Sequence, residues 1–93
     1  MEERLHVTIE GHVQGVGFRY FVKRQAEGSG VSGWVRNRYG GDVEVVAEGN
    51  RSQLESLLNA LRRGPSGSSV RDIKHRWKDA TGEFTNFIIR RTI

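Results

Sequence analysis

The segment Gly11-His-Val13-Gln14-Gly15-Val16-Gly17-Phe18-Arg19 combines three features that suit a bound oxyanion. Gly15 and Gly17 free the backbone to adopt positive φ and let an anion approach closely. The segment joins a stretch of period-two alternation to one of helical spacing. Its N–H groups should therefore converge at a helix N-terminus, where the dipole adds roughly half a positive charge. Arg19, in the first turn, supplies a planar fork matched to phosphate oxygens. The plainer alternative is a glycine-rich turn beside a surface arginine. Asn37 is a second candidate. Counting by two places Val31, Gly33, Val35 and Asn37 on one strand face. An amide closing an apolar face needs a partner or a function, although a strand-end Asn that satisfies its own turn is common.

Other chemistries find little support. The chain has no cysteine, which removes disulfides, thiolate metal sites and thiol nucleophiles. His6, His12 and His75 lack zinc-ligand spacing and nearby carboxylates, so no metal is expected. His6 falls on the polar face of a strand and reads as solvent-facing. No G-x-S-x-G or G-x-x-x-x-G-K-[ST] occurs, and Tyr20 stands where a dinucleotide fingerprint needs its third glycine. The formal charge of +4 equals the net charge of residues 11–38, the span that holds both candidates. Ninety-three residues form one domain, with a monomer as the size-based expectation. The first ten residues have no apolar core of a signal peptide, and no apolar run approaches the roughly 20 residues of a membrane span. A cytoplasmic protein with no membrane partner is expected.

The elements that must position these residues follow from periodicity. Leu5, Val7 and Ile9 alternate with polar residues and mark a first strand over 4–10. Phe18, Phe21, Val22 and Ala26 mark one face of a helix that stops at Gly28-Ser-Gly30. Residues 31–38 and 43–49 form two strands around a Tyr39-Gly40-Gly41-Asp42 turn. Asn50, with Gln53 three residues on, caps a helix whose face is Leu54, Leu57, Leu58 and Leu61, and Gly64-Pro65 ends it. Strands over 70–77 and 84–90 complete the chain, the last an edge added by a hairpin. The order β-α-β-β-α-β predicts an α+β, ferredoxin-like sandwich: an antiparallel sheet of four strands plus a short fifth, with two helices on one face.

At these residues the sequence resembles the acylphosphatase family. The family's first signature has the form G-x-V-Q-G-V-G-F-R and is matched over Gly11–Arg19. The second, G-[aromatic]-V-[basic]-N followed at fixed spacing by G-x-V and G, is matched by Gly33-Trp34-Val35-Arg36-Asn37, Gly41-Asp42-Val43 and Gly49. Gly64-Pro65, Val70 and Trp77 also sit where the family usually has such residues, so the resemblance spans nearly the whole chain. Two departures are Tyr39-Gly40-Gly41, where many members have Asp-Gly, and the ending Arg90-Arg91-Thr92-Ile93, where aromatic endings are frequent.

The resemblance implies hydrolysis of acyl phosphates to carboxylate and inorganic phosphate. Gln14, Gly15, Val16, Gly17, Phe18 and Arg19 would bind the substrate phosphate, with Arg19 the principal charged ligand, and Asn37 would orient the attacking water. No metal or organic cofactor is implied. Inorganic phosphate would be product and competitive ligand. The scarcity of acid–base residues agrees with this chemistry: the carboxylate leaving group is weakly basic, and phosphoryl transfer needs mainly positioning and positive charge. Two rivals use the same fold. An RNA-recognition module would need aromatics on a central strand, but Phe18, Phe21 and Val22 follow helical spacing and VEVVAEG has none, so no nucleic-acid partner is expected. A carbamoyl-phosphate-handling accessory domain usually belongs to a longer chain.

Overall fold

The alternation at the start of the chain becomes the central pattern of the sheet. Leu5, Val7 and Ile9 are wholly buried, while Arg4, His6 and Thr8 between them point to the opposite face. In the computed structural model, which describes Met1–Ile93, this strand is β1 (Glu2–His12). It is followed by α1 (Phe18–Ser29), β2 (Ser32–Asn37), β3 (Val43–Asn50), α2 (Arg51–Arg63), β4 (Ser69–Asp79) and β5 (Phe87–Ile89). The sheet order is β4-β1-β3-β2-β5. Both helices pack on the face carrying Leu5, Val7, Ile9, Val35, Val43, Val45 and Ala47, and bury Phe18, Val22, Ala26, Leu54, Leu57, Leu58 and Leu61 there in one core cluster. The ferredoxin-like architecture is as expected.

The capping signals also hold. The Asn50 side chain accepts the Gln53 N–H at 2.9 Å, and the Gln53 side chain accepts the Asn50 N–H at 2.9 Å, a reciprocal box that fixes the start of α2. Gly30 ends α1 in the left-handed conformation, with its N–H on the last-turn carbonyls of Ala26 and Glu27.

The last strand departs from expectation. It is not a hairpin partner of β4 but lies at the far edge of the sheet, parallel to β2, with Gly33 opposite Phe87 and Val35 opposite Ile89. The sheet is therefore mixed, not antiparallel throughout. It is still an edge strand, shortened from the expected 84–90 to Phe87–Ile89. The reason lies on the helix-free face. Glu48 of β3 is buried there and accepts the N–H groups of Thr81 (2.9 Å) and Gly82 (3.0 Å), together with the Arg4 guanidinium (2.7 Å). Burial alone would raise the Glu48 pKa, but these donors together hold it below the usual carboxylate range. Residues 80–86 are thus tied across the sheet instead of turning back on β4.

Candidate active site

The loop between β1 and α1 is clamped at both ends. Val13 and Phe18 are buried in the core, Val16 packs against it, and Gly15 and Gly17 are left exposed between them. The register of β1 against β4 shifts between Glu10 and Gly11, an irregularity just before the loop. Gly15 and Gly17 adopt left-handed backbone, φ 74° and 76°. A Cβ at either would meet nothing within 4 Å, so their requirement for glycine is conformational and leaves open space above the loop.

That conformation leaves the loop's donors unspent. The first bond of α1 runs from the Phe21 N–H to the Gly17 carbonyl at 3.0 Å, and Gly17 provides no capping side chain. The six N–H groups from Gly15 to Tyr20 donate to no backbone acceptor. They present an uncapped helix N-terminus, the natural seat of an anion. Arg19 supplies the charge. Of the four partly buried arginines, Arg4, Arg36 and Arg38 each hold a carboxylate, whereas Arg19 has none.

Asn37 ends β2 with its side chain on the core face, as period-two counting predicts. It is buried, and its Oδ1 has no hydrogen-bond partner, the one buried side-chain nitrogen or oxygen atom so placed in the chain. A buried acceptor left unmade costs stability, which favours a role outside the fold. Gly15, Gly17, Phe18, Arg19 and Asn37 line one open pocket of about 250 Å³ together with Val13, Tyr20 and Ile89. No carboxylate lines it. Nor do three His, Asp or Glu side chains converge anywhere as a metal site would require. The pocket presents a cation, a row of N–H donors and one unengaged amide oxygen, a set able to hold a tetrahedral dianion and align a water beside it.

The other two loop residues sit differently. Val16 contributes its side chain to the core, and its part in the loop is that of its backbone. The Gln14 amide turns away and donates to the carbonyls of Arg38 (2.7 Å) and Asp42 (3.0 Å), at the base of the β2–β3 turn. It fastens the loop to the strand end that carries Asn37. Replacing Gln14 with alanine should lower stability by about 1–2 kcal/mol, two bonds' worth, with a parallel loss of kcat/KM as loop and strand separate. Urea unfolding and steady-state kinetics measure the two effects.

The helix-free face holds the same strand end from behind. Arg36 and Arg38 flank Asn37 and both reach Glu44 of β3, at 2.8 and 3.8 Å, while Arg38 also grips Asp42 at 2.6 Å. His6 does not face solvent freely, because its Nε2 lies 2.8 Å from Glu44. Burial would raise the Glu44 pKa, but His6 and Arg36 outweigh it and keep the group below its ordinary value. The Tyr39-Gly40-Gly41 turn closes through Gly41 N–H to the Arg38 carbonyl and Arg38 N–H to the Asp42 carbonyl, both 2.9 Å. The terminal residues extend the strand contact: Ile93 N–H reaches the Asn37 carbonyl at 3.3 Å, and Tyr39 N–H reaches the Ile93 carbonyl at 2.8 Å. Arg24 does not line the pocket, and its guanidinium lies 6.0 Å from the Tyr20 ring centre.

Sequence reasoning did not select Val13, Tyr20 or Ile89 as pocket residues. Tyr20 gave a signal: it is a large aromatic outside the buried stripe of α1. Ile89 gave none, since its place depends on β5 crossing to β2.

Comparison with known proteins finds similarity over nearly the whole chain. The profile of the acylphosphatase family matches residues 5–89. An acylphosphatase of Moorella thermoacetica is 47% identical over 90 residues, covering 97% of this chain and 96% of its own. One from Pyrobaculum aerophilum is 47% identical over 91 residues, covering 97% and 96%. The crystal structure of acylphosphatase from Bacillus subtilis superposes with a TM-score of 0.92 at 38% identity, covering 95% of this chain and 98% of that one.

Proposed function

The chain belongs to the acylphosphatase family and is an enzyme that hydrolyses acyl phosphates, and on that premise we propose that Arg19 and the Gly15–Tyr20 N–H groups hold the phosphate while Asn37 orients the attacking water. The observation that carries this assignment is the pairing, in one pocket, of an arginine without a carboxylate and a buried Oδ1 without a donor. In the reaction the Asn37 Oδ1 accepts a hydrogen bond from water, which leaves a lone pair of the water oxygen aimed at phosphorus. The water oxygen bonds to phosphorus as the bond to the acyl oxygen breaks, and the carboxylate departs with that electron pair. One water proton stays on the product phosphate and the other passes to solvent. Negative charge spreads over the equatorial oxygens of a loose transition state, where Arg19 and the N–H groups stabilise it. An amide is too weak a base to take the proton outright, so the contribution of Asn37 is geometric.

The reading extends to the rest of the molecule. Residues 1–93 act as one domain, supported by a single core cluster. The enzyme is monomeric and cytoplasmic, works without metal or organic cofactor, and meets inorganic phosphate as product and competing ligand. No helix is long and apolar enough to cross a membrane. Nucleic acid is not a partner: β1 and β3 carry no Phe, Tyr or Trp on the helix-free face, His6 there is engaged with Glu44, and Trp34 of β2 is buried there between the guanidinium groups of Arg36 and Arg90, 4.5 and 4.9 Å from its ring. Purified protein should release phosphate from benzoyl phosphate in the presence of a chelator. Absence of turnover under those conditions would overturn the metal-free mechanism.

A further inference from the structure

The pocket has a floor and a mouth, and they differ in chemistry. Val13 and Phe18 (each 1% exposed) and Asn37 (8% exposed) form the floor. Tyr20 and Ile89, 62% and 39% exposed, stand at the mouth. They are two of only six large apolar residues that the fold leaves exposed. One comes from the first turn of α1 and the other from β5, so two remote elements bring apolar side chains to one opening. Exposed apolar residues scattered singly need no explanation, but two that flank a polar phosphate seat do.

Resting on the acyl-phosphate reading above, we propose that Tyr20 and Ile89 form the contact surface for the acyl group and select substrates whose acyl portion is apolar, aromatic or branched. In-line displacement sets the direction. Asn37 lies on the floor, so the water attacks from below and the leaving carboxylate must lie on the opposite side of phosphorus, toward the mouth. Whatever the acyl oxygen carries therefore emerges between Tyr20 and Ile89. The phenol ring and the branched aliphatic chain gain by covering apolar surface there. A short acyl group such as acetyl does not reach far enough to benefit, and a cationic one finds no carboxylate at the mouth to meet it. The seat itself treats all substrates alike, because every one presents the same phosphate, so discrimination falls to the mouth.

The test is the ratio of kcat/KM for benzoyl phosphate to that for acetyl phosphate, with Tyr20→Ser, Tyr20→Phe and Ile89→Ser beside the wild type. The wild-type ratio should exceed unity. Tyr20→Ser and Ile89→Ser should each lower it by about fivefold to tenfold, the loss of between one and two buried methylene equivalents at an open wall. Tyr20→Phe keeps the ring and should keep the ratio, which separates apolar contact from a polar role of the phenol oxygen. An unchanged ratio in both serine variants would overturn the proposal while the acyl-phosphate reading stands. Failure of the wild type to hydrolyse either substrate would overturn the underlying reading, and this one with it.

Discussion

Arg19→Ala should reduce kcat/KM for benzoyl phosphate by about 10²–10³-fold, the scale of one preorganised donor removed from a developing oxyanion. The inhibition constant of inorganic phosphate should rise as well, since the same guanidinium meets product and substrate. Arg19→Lys should recover little of this, because an ammonium supplies charge without the planar fork. Folding should scarcely change. Arg19 makes no ion pair within the chain, and a surface change of this kind usually stays within about 0.5 kcal/mol. The contrast with the other partly buried arginines is direct: Arg4 bridges Glu48 and Glu83, and Arg36 bridges Glu44, so their loss would register in stability first. Kinetics and thermal unfolding on the same preparation separate the two classes. Wild-type kcat/KM in Arg19→Ala would remove it from the site.

Asn37→Ala should act on a different parameter. With the seat intact, KM should stay near its wild-type value while kcat falls by about 10²-fold or more, because only the orientation of the water is lost. Its stability should be unchanged or higher. The Asn37 side chain makes no hydrogen bond inside the protein, and its Oδ1 is buried without a donor, so alanine relieves a desolvated acceptor at the cost of a few atoms of packing. A residue retained for the fold would show the reverse. A rise in KM with kcat preserved would reassign Asn37 to substrate binding.

Much of this arrangement is legible in the sequence, and the parts that are not share a cause. Leu5-Val7-Ile9 and Leu54-Leu57-Leu58-Leu61 announce their elements because one face of each is buried, and burial imposes a period. Asn50 and Gln53 announce a helix start because capping is local. Arg19 and Asn37 stand out because each combines a polar group with a backbone setting that does not use it. The course of β5 is not legible. It is decided by Glu48 accepting two backbone N–H groups from Thr81 and Gly82, a contact between residues far apart in the chain with no periodic trace. The same holds for Gln14, whose motif position points to phosphate but whose amide is spent on the Arg38 and Asp42 carbonyls. A side-chain donor does not reveal which distant carbonyl will need it.

The parallel ladder between β2 and β5 bears on the order in which the molecule comes apart. Its three residue pairs join positions separated by more than half the chain, whereas β1, β3 and β4 pair over long antiparallel registers. The β1–β4 ladder joins positions at least as far apart but holds them with ten pairs, so β5, held by three, should be among the first elements to open. Asn37 is paired with Val43 of β3, and the Gly15–Tyr20 segment is held between β1 and α1, so neither depends on the short ladder. Warming toward the unfolding transition should therefore lower the ratio of kcat/KM for benzoyl to acetyl phosphate before turnover itself is lost.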